Sequence, residues 1–504
     1  MDSIDVAIHL LAWTSVLYFA FRTRGTVGTS NPPRLPQWTR LGLRTLYESY
    51  SHLLAGSYLW LVWSRIKKFG NTFTFYQLGV QQVLTIDPEN IKAILSTQFH
   101  ELGLGKGRVE HFEPFIGHGI FTADGEAWQK SRHLVRPCFK SAGLEDMVRL
   151  EHHLTNLVKA LPSDGEAEVD LQTLFLRLTI DVTSEFLFGQ STALLNSENT
   201  QQGDTFAAAF RRSKEAMVHH FALGWLSKLL PYSKQEIDDK KAMRDFVAPF
   251  VKQAIESNGA GTASRLDGVS ASAYTFALKL AETTTDFDAI SGNLLNILLT
   301  GRDTTGSLLS SMFLVLSRNP SIYDKLKSEV SEMTLGSCRP PTLEQLRSMP
   351  YLKACIDECL RLYPPVPRNS RTALRHTTLP RGGPPDGTQP LYLSKGTHVG
   401  YQVFSMHRRK DIFGADAEDF VPERWIDRKL RRGWGFLPFN GGPRICLGQQ
   451  FTTNQASYVT VRLLQHFKSL RAADDIPWTE DLGLSCSLKH GVHVLVRMKS
   501  EHHM

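Results

Sequence analysis

The chain has 504 residues, 42% hydrophobic and 10% aromatic, room for one large domain or several small ones with ample material for a sizeable core. There is no internal repeat and no compositionally extreme block, and six cysteines without metal-ligand or redox pairing favour a reducing compartment. A formal charge of +7 and a pI near 9.0 suit acidic partners or anionic lipid surfaces; the basic residues are scattered and carry no reading motif, which argues against nucleic acid.

Ile4–Phe21 is predominantly apolar and is followed by Arg22 and Arg24. About 18 residues at 1.5 Å each reach roughly 27 Å, enough for a thin bilayer. Asp2 and Asp5 lie at its start and the arginines after it, so the positive-inside rule leaves the rest of the chain in the cytosol. A cleaved signal peptide is the alternative, but the basic start and small-residue cleavage site it needs are not convincing here. His9 and Asp5 weaken the span. Asn31-Pro32-Pro33-Arg34-Leu35-Pro36 cannot continue a helix and reads as a stiff hinge.

Thr72–Ile86 is rich in β-branched and aromatic residues around Gly79 and predicts a hairpin. Asp87-Pro88 supplies an N-cap and a first-turn proline for a helix over Glu89–Leu95. Glycine-rich Leu102–Gly119 predicts a long loop. Trp128–Arg136 predicts a helix stopped by Pro137, with Trp128 and Arg132 on one face; taken alone, that pair reads as a packed tryptophan beside an exposed arginine. Val169–Ser257 is helical with breaks near Asn196–Gly203 and Pro231-Tyr232, and Asn258–Ala273 reads as an exposed loop.

Asp286–Arg318 is the longest helical candidate. Its middle reads Thr300-Gly301-Arg302-Asp303-Thr304-Thr305. Glycine and three threonines are poor helix formers, by up to about 1 kcal/mol for Gly against Ala. A local rule broken inside a central helix points to a site, and a mere kink does not account for an acid and two hydroxyls in an apolar stretch. Further on, Thr342-Leu343-Glu344-Gln345 is a capping box. Glu358 and Arg361 form an i,i+3 pair ahead of Tyr363-Pro364-Pro365, and Cys355 and Cys359 read as helix-packing residues. Leu391–His398 and Leu484–Val496 predict short strands, with turns at Gly387, Gly396 and Gly491.

Phe439–Gly448, FNGGPRICLG, places Cys446 in a loop rich in glycine and arginine just before a helix-like run. A thiolate there would lie near a helix N-terminus and beside Arg444, both of which lower a thiol's pKa. Gly442 and Gly448 would let the backbone approach a flat ligand. A buried structural cysteine is the bland alternative. The spacing Phe-x-x-Gly-x-Arg-x-Cys-x-Gly weighs against it, because all five fixed positions, Phe439, Gly442, Arg444, Cys446 and Gly448, match and resemble the heme-thiolate loop of the cytochromes P-450.

That resemblance covers nearly the whole chain and implies a mainly α fold with small β-sheets (α+β), one large catalytic domain over 31–504 behind an N-terminal membrane anchor over 1–30. It implies that Cys446 is the axial iron ligand of heme b and that Trp128, Arg132, Arg371 and Arg444 hold propionates. It makes Asp303 and Thr304 the oxygen-activating pair; Thr300 replaces the family's usual small residue, so the heme is expected to be non-covalent. Glu358, Arg361 and Arg424 match the family's structural Glu-Arg-Arg network, about 85 residues separating Arg361 from Cys446. Val366–Asn369 would face substrate.

The reaction implied is insertion of one oxygen atom from O2 into a hydrophobic small molecule. No flavin or dinucleotide fingerprint is present, so electrons would come from NADPH through a separate cytochrome P-450 reductase, with cytochrome b5 as a further partner. The expected location is the endoplasmic reticulum membrane, in contact with lipid. The cluster Arg428, Lys429, Arg431 and Arg432 would steer an acidic reductase or is simply a solvated loop. Gly301–Thr305, Pro365–Arg371, Met406–Asp411 and Asn440–Phe451 resemble the fungal branch that hydroxylates alkanes and fatty acids. Oxidation of a fungal polyketide or terpenoid is the alternative substrate reading. A rearranging relative that needs no O2 usually lacks the acid–threonine pair, and a heme gas sensor would want a regulatory domain that the sequence does not display.

Overall fold

The computed structural model describes residues 34–35, 41–140, 144–162, 165–196, 201–259, 276–384, 386–427, 430 and 433–499. The expected anchor at 4–21, most of the proline hinge, positions 260–273 of the expected loop and the basic cluster Arg428, Lys429, Arg431 and Arg432 lie outside the described residues. The described part is mainly helical with small sheets, and it divides into two units. One comprises Met1–Gly105, Arg368–Arg409 and Gly433–Arg444, the other Lys106–Pro367, Lys410–Arg432 and Ile445–Met504.

The first unit is built on a five-stranded sheet. Its strands run Thr72–Gln77, Val80–Thr85, His398–Gln402, Arg368–Ala373 and Leu102–Gly103 in spatial order. Neighbours are antiparallel except Val80–Thr85 beside His398–Gln402, which is parallel. The predicted hairpin is present. Leu78 (φ 52°) and Gly79 (φ 82°) are both left-handed, as a tight two-residue hairpin turn requires. Asp87 caps the helix that follows, accepting from the Glu89 and Asn90 N–H groups. That helix is α over Pro88–Lys92 and then widens into a π turn over Ala93–Thr97.

The second unit is organised around the helix Phe287–Arg318, capped by Asp286 and buried on all sides over Gly292–Leu299 and Thr305–Ser317, with Thr300, Gly301, Arg302 and Thr304 only half-buried between them. Leu171–Phe188, Lys234–Gly259, Pro350–Leu362 and Gln449–His466 pack against it. The two glycines of its centre have a packing reason. A Cβ on Gly301 would lie 2.7 Å from the Thr183 methyl, and one on Gly306 2.9 Å from Leu176. Helix Leu171–Phe188 therefore approaches more closely than Ala would allow. The expected strands appear as Gln389–Leu393, His398–Gln402, Cys486–Leu488 and His493–Met498, and the capping box at Thr342 forms with both hydrogen bonds.

Two expectations fail. Leu102–Gly119 is not one loop, because Lys106–Ile116 is a helix that buries His111, Phe112, Phe115 and Ile116 on one side. The flanking glycines hid that face. Nor does Pro137 stop its helix, which spans Gly125–Lys140. Pro137 lacks the N–H that would bond the His133 carbonyl, but Trp128, Ser131, Leu134, Val135 and Cys138 form a buried stripe, and burial of that stripe outweighs one missing bond.

Candidate active site

Cys446 lies at the end of the loop, with Gly448 as N-cap residue of helix Gln449–His466. The Gly448 backbone N–H donates to its sulfur. The side chain is solvent-accessible, yet protein atoms crowd it closely, as they would a group lining a recess. That crowding pushes the thiol above its usual range, outweighing the Gly448 N–H and the nearby Arg132 charge, which lower it. The sequence pointed to a lowered thiol with Arg444 as its cation. The charged neighbour felt by the sulfur is Arg132 instead, and burial sets the direction.

Arg132 also reaches this loop. Its Nη2 donates to the Ile445 carbonyl at 2.9 Å, and its guanidinium lies 5.6 Å over the ring of buried Trp128. The i,i+4 spacing on helix Gly125–Lys140 produces that stack.

Within the first unit, Arg371 is buried on strand Arg368–Ala373 and donates to the Ser370 carbonyl (2.7 Å) and Asn369 Oδ1 (3.3 Å). Arg444 lies 5.7 Å from the Phe99 ring centroid. Phe439 is half-buried in the loop. Gly442 is left-handed (φ 66°), and a Cβ there would fall 1.9 Å from the Leu95 carbonyl oxygen. Its requirement for glycine is already met by the protein's own backbone. Gly448, with φ −86°, has no such constraint.

On the long helix the hydroxyls fold back. Thr304 Oγ1 donates to the Thr300 carbonyl at 2.6 Å and Thr300 Oγ1 to Ile297 at 3.0 Å, the satisfaction open to Thr inside a helix. Asp303 is 6% exposed and ion-paired to Lys214 of helix Gln201–Leu223, with Arg302 at 3.4 Å and Ser485 Oγ donating at 3.3 Å. Burial pushes its pKa up, but Lys214 and Arg302 more than offset this, so the carboxyl titrates below its usual range. Lys214 and Ser485 had no signal in the sequence, since each reaches Asp303 only through tertiary packing.

Glu358 joins three elements. Arg361 donates to it from Nε and Nη2, Arg424 from Nε, Trp425 from Nε1 and Val421 from its backbone, all at 2.8–2.9 Å. The remaining guanidinium hydrogens go to the carbonyls of Ala417, Asp419, Phe413 and Asp416. All three charged side chains are fully buried.

No cluster of three or more His, Cys, Asp or Glu residues able to hold a metal ion occurs among the described residues. A metal carried by a macrocycle needs a single axial donor from the protein. Of the six cysteines Cys446 is the exposed one, and its loop is the candidate for a heme-thiolate site.

The family model for cytochrome P-450 matches residues 47–491, spanning both units. Cytochrome P-450 monooxygenase himC of Aspergillus japonicus is 42% identical over 90% of this chain and 81% of its own length. Cytochrome P-450 monooxygenase fsdH of Fusarium heterosporum is 41% identical over 88% and 78%, and cytochrome P-450 52A13 of Debaryomyces hansenii is 41% identical over 84% and 83%. The chain belongs to the cytochrome P-450 family and is an oxidoreductase of the monooxygenase type. Membership implies heme-thiolate iron. No helix among the described residues is long and apolar enough to cross a membrane.

Proposed function

We propose that this protein hydroxylates C–H bonds of a hydrophobic small molecule, with a long-chain fatty acid or alkane as the leading substrate class. Cys446 is the single protein ligand to a non-covalently held heme, and Trp128, Arg132, Arg371 and Arg444 are the groups that hold its propionates. When bound, thiolate-ligated heme iron supplies the reductive activation of O2. The chain's own part is to hold that group, exclude water and deliver protons. Thr304 Oγ1 is the last protein hydroxyl of the relay. Asp303 stands behind it and Lys214, 19% exposed, at its outer end. Electrons come from NADPH through a separate reductase, assisted by cytochrome b5, and the N-terminal segment anchors the enzyme in the endoplasmic reticulum membrane with its catalytic domain toward the cytosol.

The observation that carries this reading is the buried, cation-paired Asp303 beside the half-buried Thr304. An ionised carboxylate in an apolar helix is costly, and here it is paired with a cation and placed next in sequence to a threonine hydroxyl. A rearranging enzyme has no need of that arrangement. The test is the CO difference spectrum of the reduced protein. The red-shifted band of thiolate-ligated heme is expected in the wild type and absent in Cys446→Ala; an unshifted band in the wild type would sink the reading.

Tailoring of a fungal polyketide or terpenoid is the second reading. The near-equal identities to the Aspergillus and Fusarium monooxygenases, 42% and 41%, and to the Debaryomyces protein, 41%, single out no one substrate class. A spectral binding screen with long-chain fatty acids and alkanes against polyketides and terpenes separates the two.

A further inference from the structure

Met406–Asp411 resembles the fungal branch yet has no role in the chemistry above. His407, inside that stretch, is fully buried as the C-cap of helix Val403–Met406. Its Nε2 accepts the Leu437 backbone N–H at 3.0 Å, and its ring lies 5.2 Å from that of Phe436. A backbone N–H can only donate, so Nε2 carries no proton and the neutral ring holds its hydrogen on Nδ1.

Leu437 begins the turn that leads into the cysteine loop. Its carbonyl accepts the Asn440 N–H at 3.3 Å. Asn440 is left-handed (φ 64°), a conformation Asn tolerates but does not favour. It is held there by the Tyr401 hydroxyl, which donates to its Oδ1 at 2.9 Å. The clamping stretch is itself fixed. Arg408 lies 3.6 Å over the Phe404 ring and 5.1 Å over Trp60, and Arg409 donates to the Ile86 carbonyl at 3.3 Å.

We infer that His407 is a positioning residue for the cysteine loop: its Nε2 fixes Leu437, and the Leu437–Asn440 turn, pinned at its far end by Tyr401, sets the path of the chain into Cys446. This rests on the heme-thiolate reading of Cys446. The ring volume of His407 is secondary; the acceptor at Nε2 is what counts. Without it a buried backbone N–H is left unmade, which the turn relieves by shifting.

Two variants separate acceptor from volume. His407→Phe keeps a ring and removes the acceptor, whereas His407→Gln keeps an acceptor at the position of Nε2. Hydrogen exchange over Phe436–Asn440 is read in the full chain with and without heme, alongside transfer of heme to apomyoglobin and the CO spectrum. H407F is expected to exchange faster in both forms, to lose heme about tenfold faster and to gain an unshifted CO component. H407Q is expected to stay close to wild type. Wild-type exchange and heme retention in H407F would overturn the inference, as would an H407Q as impaired as H407F. Should H407F not accumulate, Tyr401→Phe removes one hydroxyl from the other end of the turn, and unchanged heme loss there overturns it equally. A wild type without the red-shifted band would instead sink the heme-thiolate reading, and the exchange comparison would still report on His407 and Leu437.

Discussion

At Glu358 one negative and two positive side chains meet with no solvent among them. Desolvating three charges costs several kcal/mol each, and mutual attraction repays it only when every donor is satisfied. Here the guanidinium hydrogens left over by Glu358 find backbone carbonyls. Glu358→Gln would keep the shape and remove the charge that both buried guanidinium groups share, leaving Arg424 only the part-exposed Asp416 carboxylate at 3.3 Å; we expect a loss of about 3–5 kcal/mol, read as a lower denaturant midpoint. Thr304 tests a different kind of dependence. Its hydroxyl is satisfied locally by the Thr300 carbonyl, so Thr304→Ala should fold and bind heme normally while releasing peroxide in place of product. Undiminished coupling of electrons to product would remove Thr304 from the relay. The sequence displayed Asp303 and Thr304 as residue types out of place in an apolar helix, whereas Glu358 and Arg361 stood out only through the family resemblance. Lys214, Ser485 and His407 are ordinary residues in a helix, a hairpin turn and a helix cap, and only packing gives them partners.

Among the elements, those announced by local chemistry were readable: the Leu78-Gly79 turn, the Asp87 cap, the Thr342 capping box and the long apolar helix. Lys106–Ile116 was not, because Gly103, Gly105 and Gly107 mask a helix whose face is defined by what it packs against. Gly105 is itself tertiary in origin. It is left-handed (φ 78°), and a Cβ there would lie 2.5 Å from the Thr372 hydroxyl. The cysteine loop shows the same constraint at greater strength. In Gly442→Ala the new methyl would meet the Leu95 carbonyl, backbone that cannot rotate away. A destabilisation above about 2 kcal/mol is expected, with faster heme loss. Near-wild-type stability would mean that the loop follows another path.

Across the molecule, acid sensitivity should include a histidine component. His466, at the end of helix Gln449–His466, is pushed down to about 4 by burial and by Arg462, against a smaller opposing effect of Glu151. The unfolded chain then binds more protons than the folded one between about pH 6.5 and 4. Stability should fall as pH drops through that window and show no further histidine effect below it. His466→Phe should flatten this part of a Tm-against-pH curve; an unchanged slope would place the acid sensitivity elsewhere. The depressed carboxyl of Asp303 acts lower, its contribution being lost as pH falls through its folded value.

The way the chain alternates between its two units also has a consequence for biosynthesis. The first unit begins with residues up to Gly105 but is completed only by Gly433–Arg444, and the second needs Ile445–Met504. At about 5–20 residues per second, ribosomes spend roughly 16–65 s between the two ends of the first unit. For most of that interval the sheet lacks His398–Gln402, the strand between Val80–Thr85 and Arg368–Ala373. Premature termination anywhere before Gly433 therefore leaves neither unit whole.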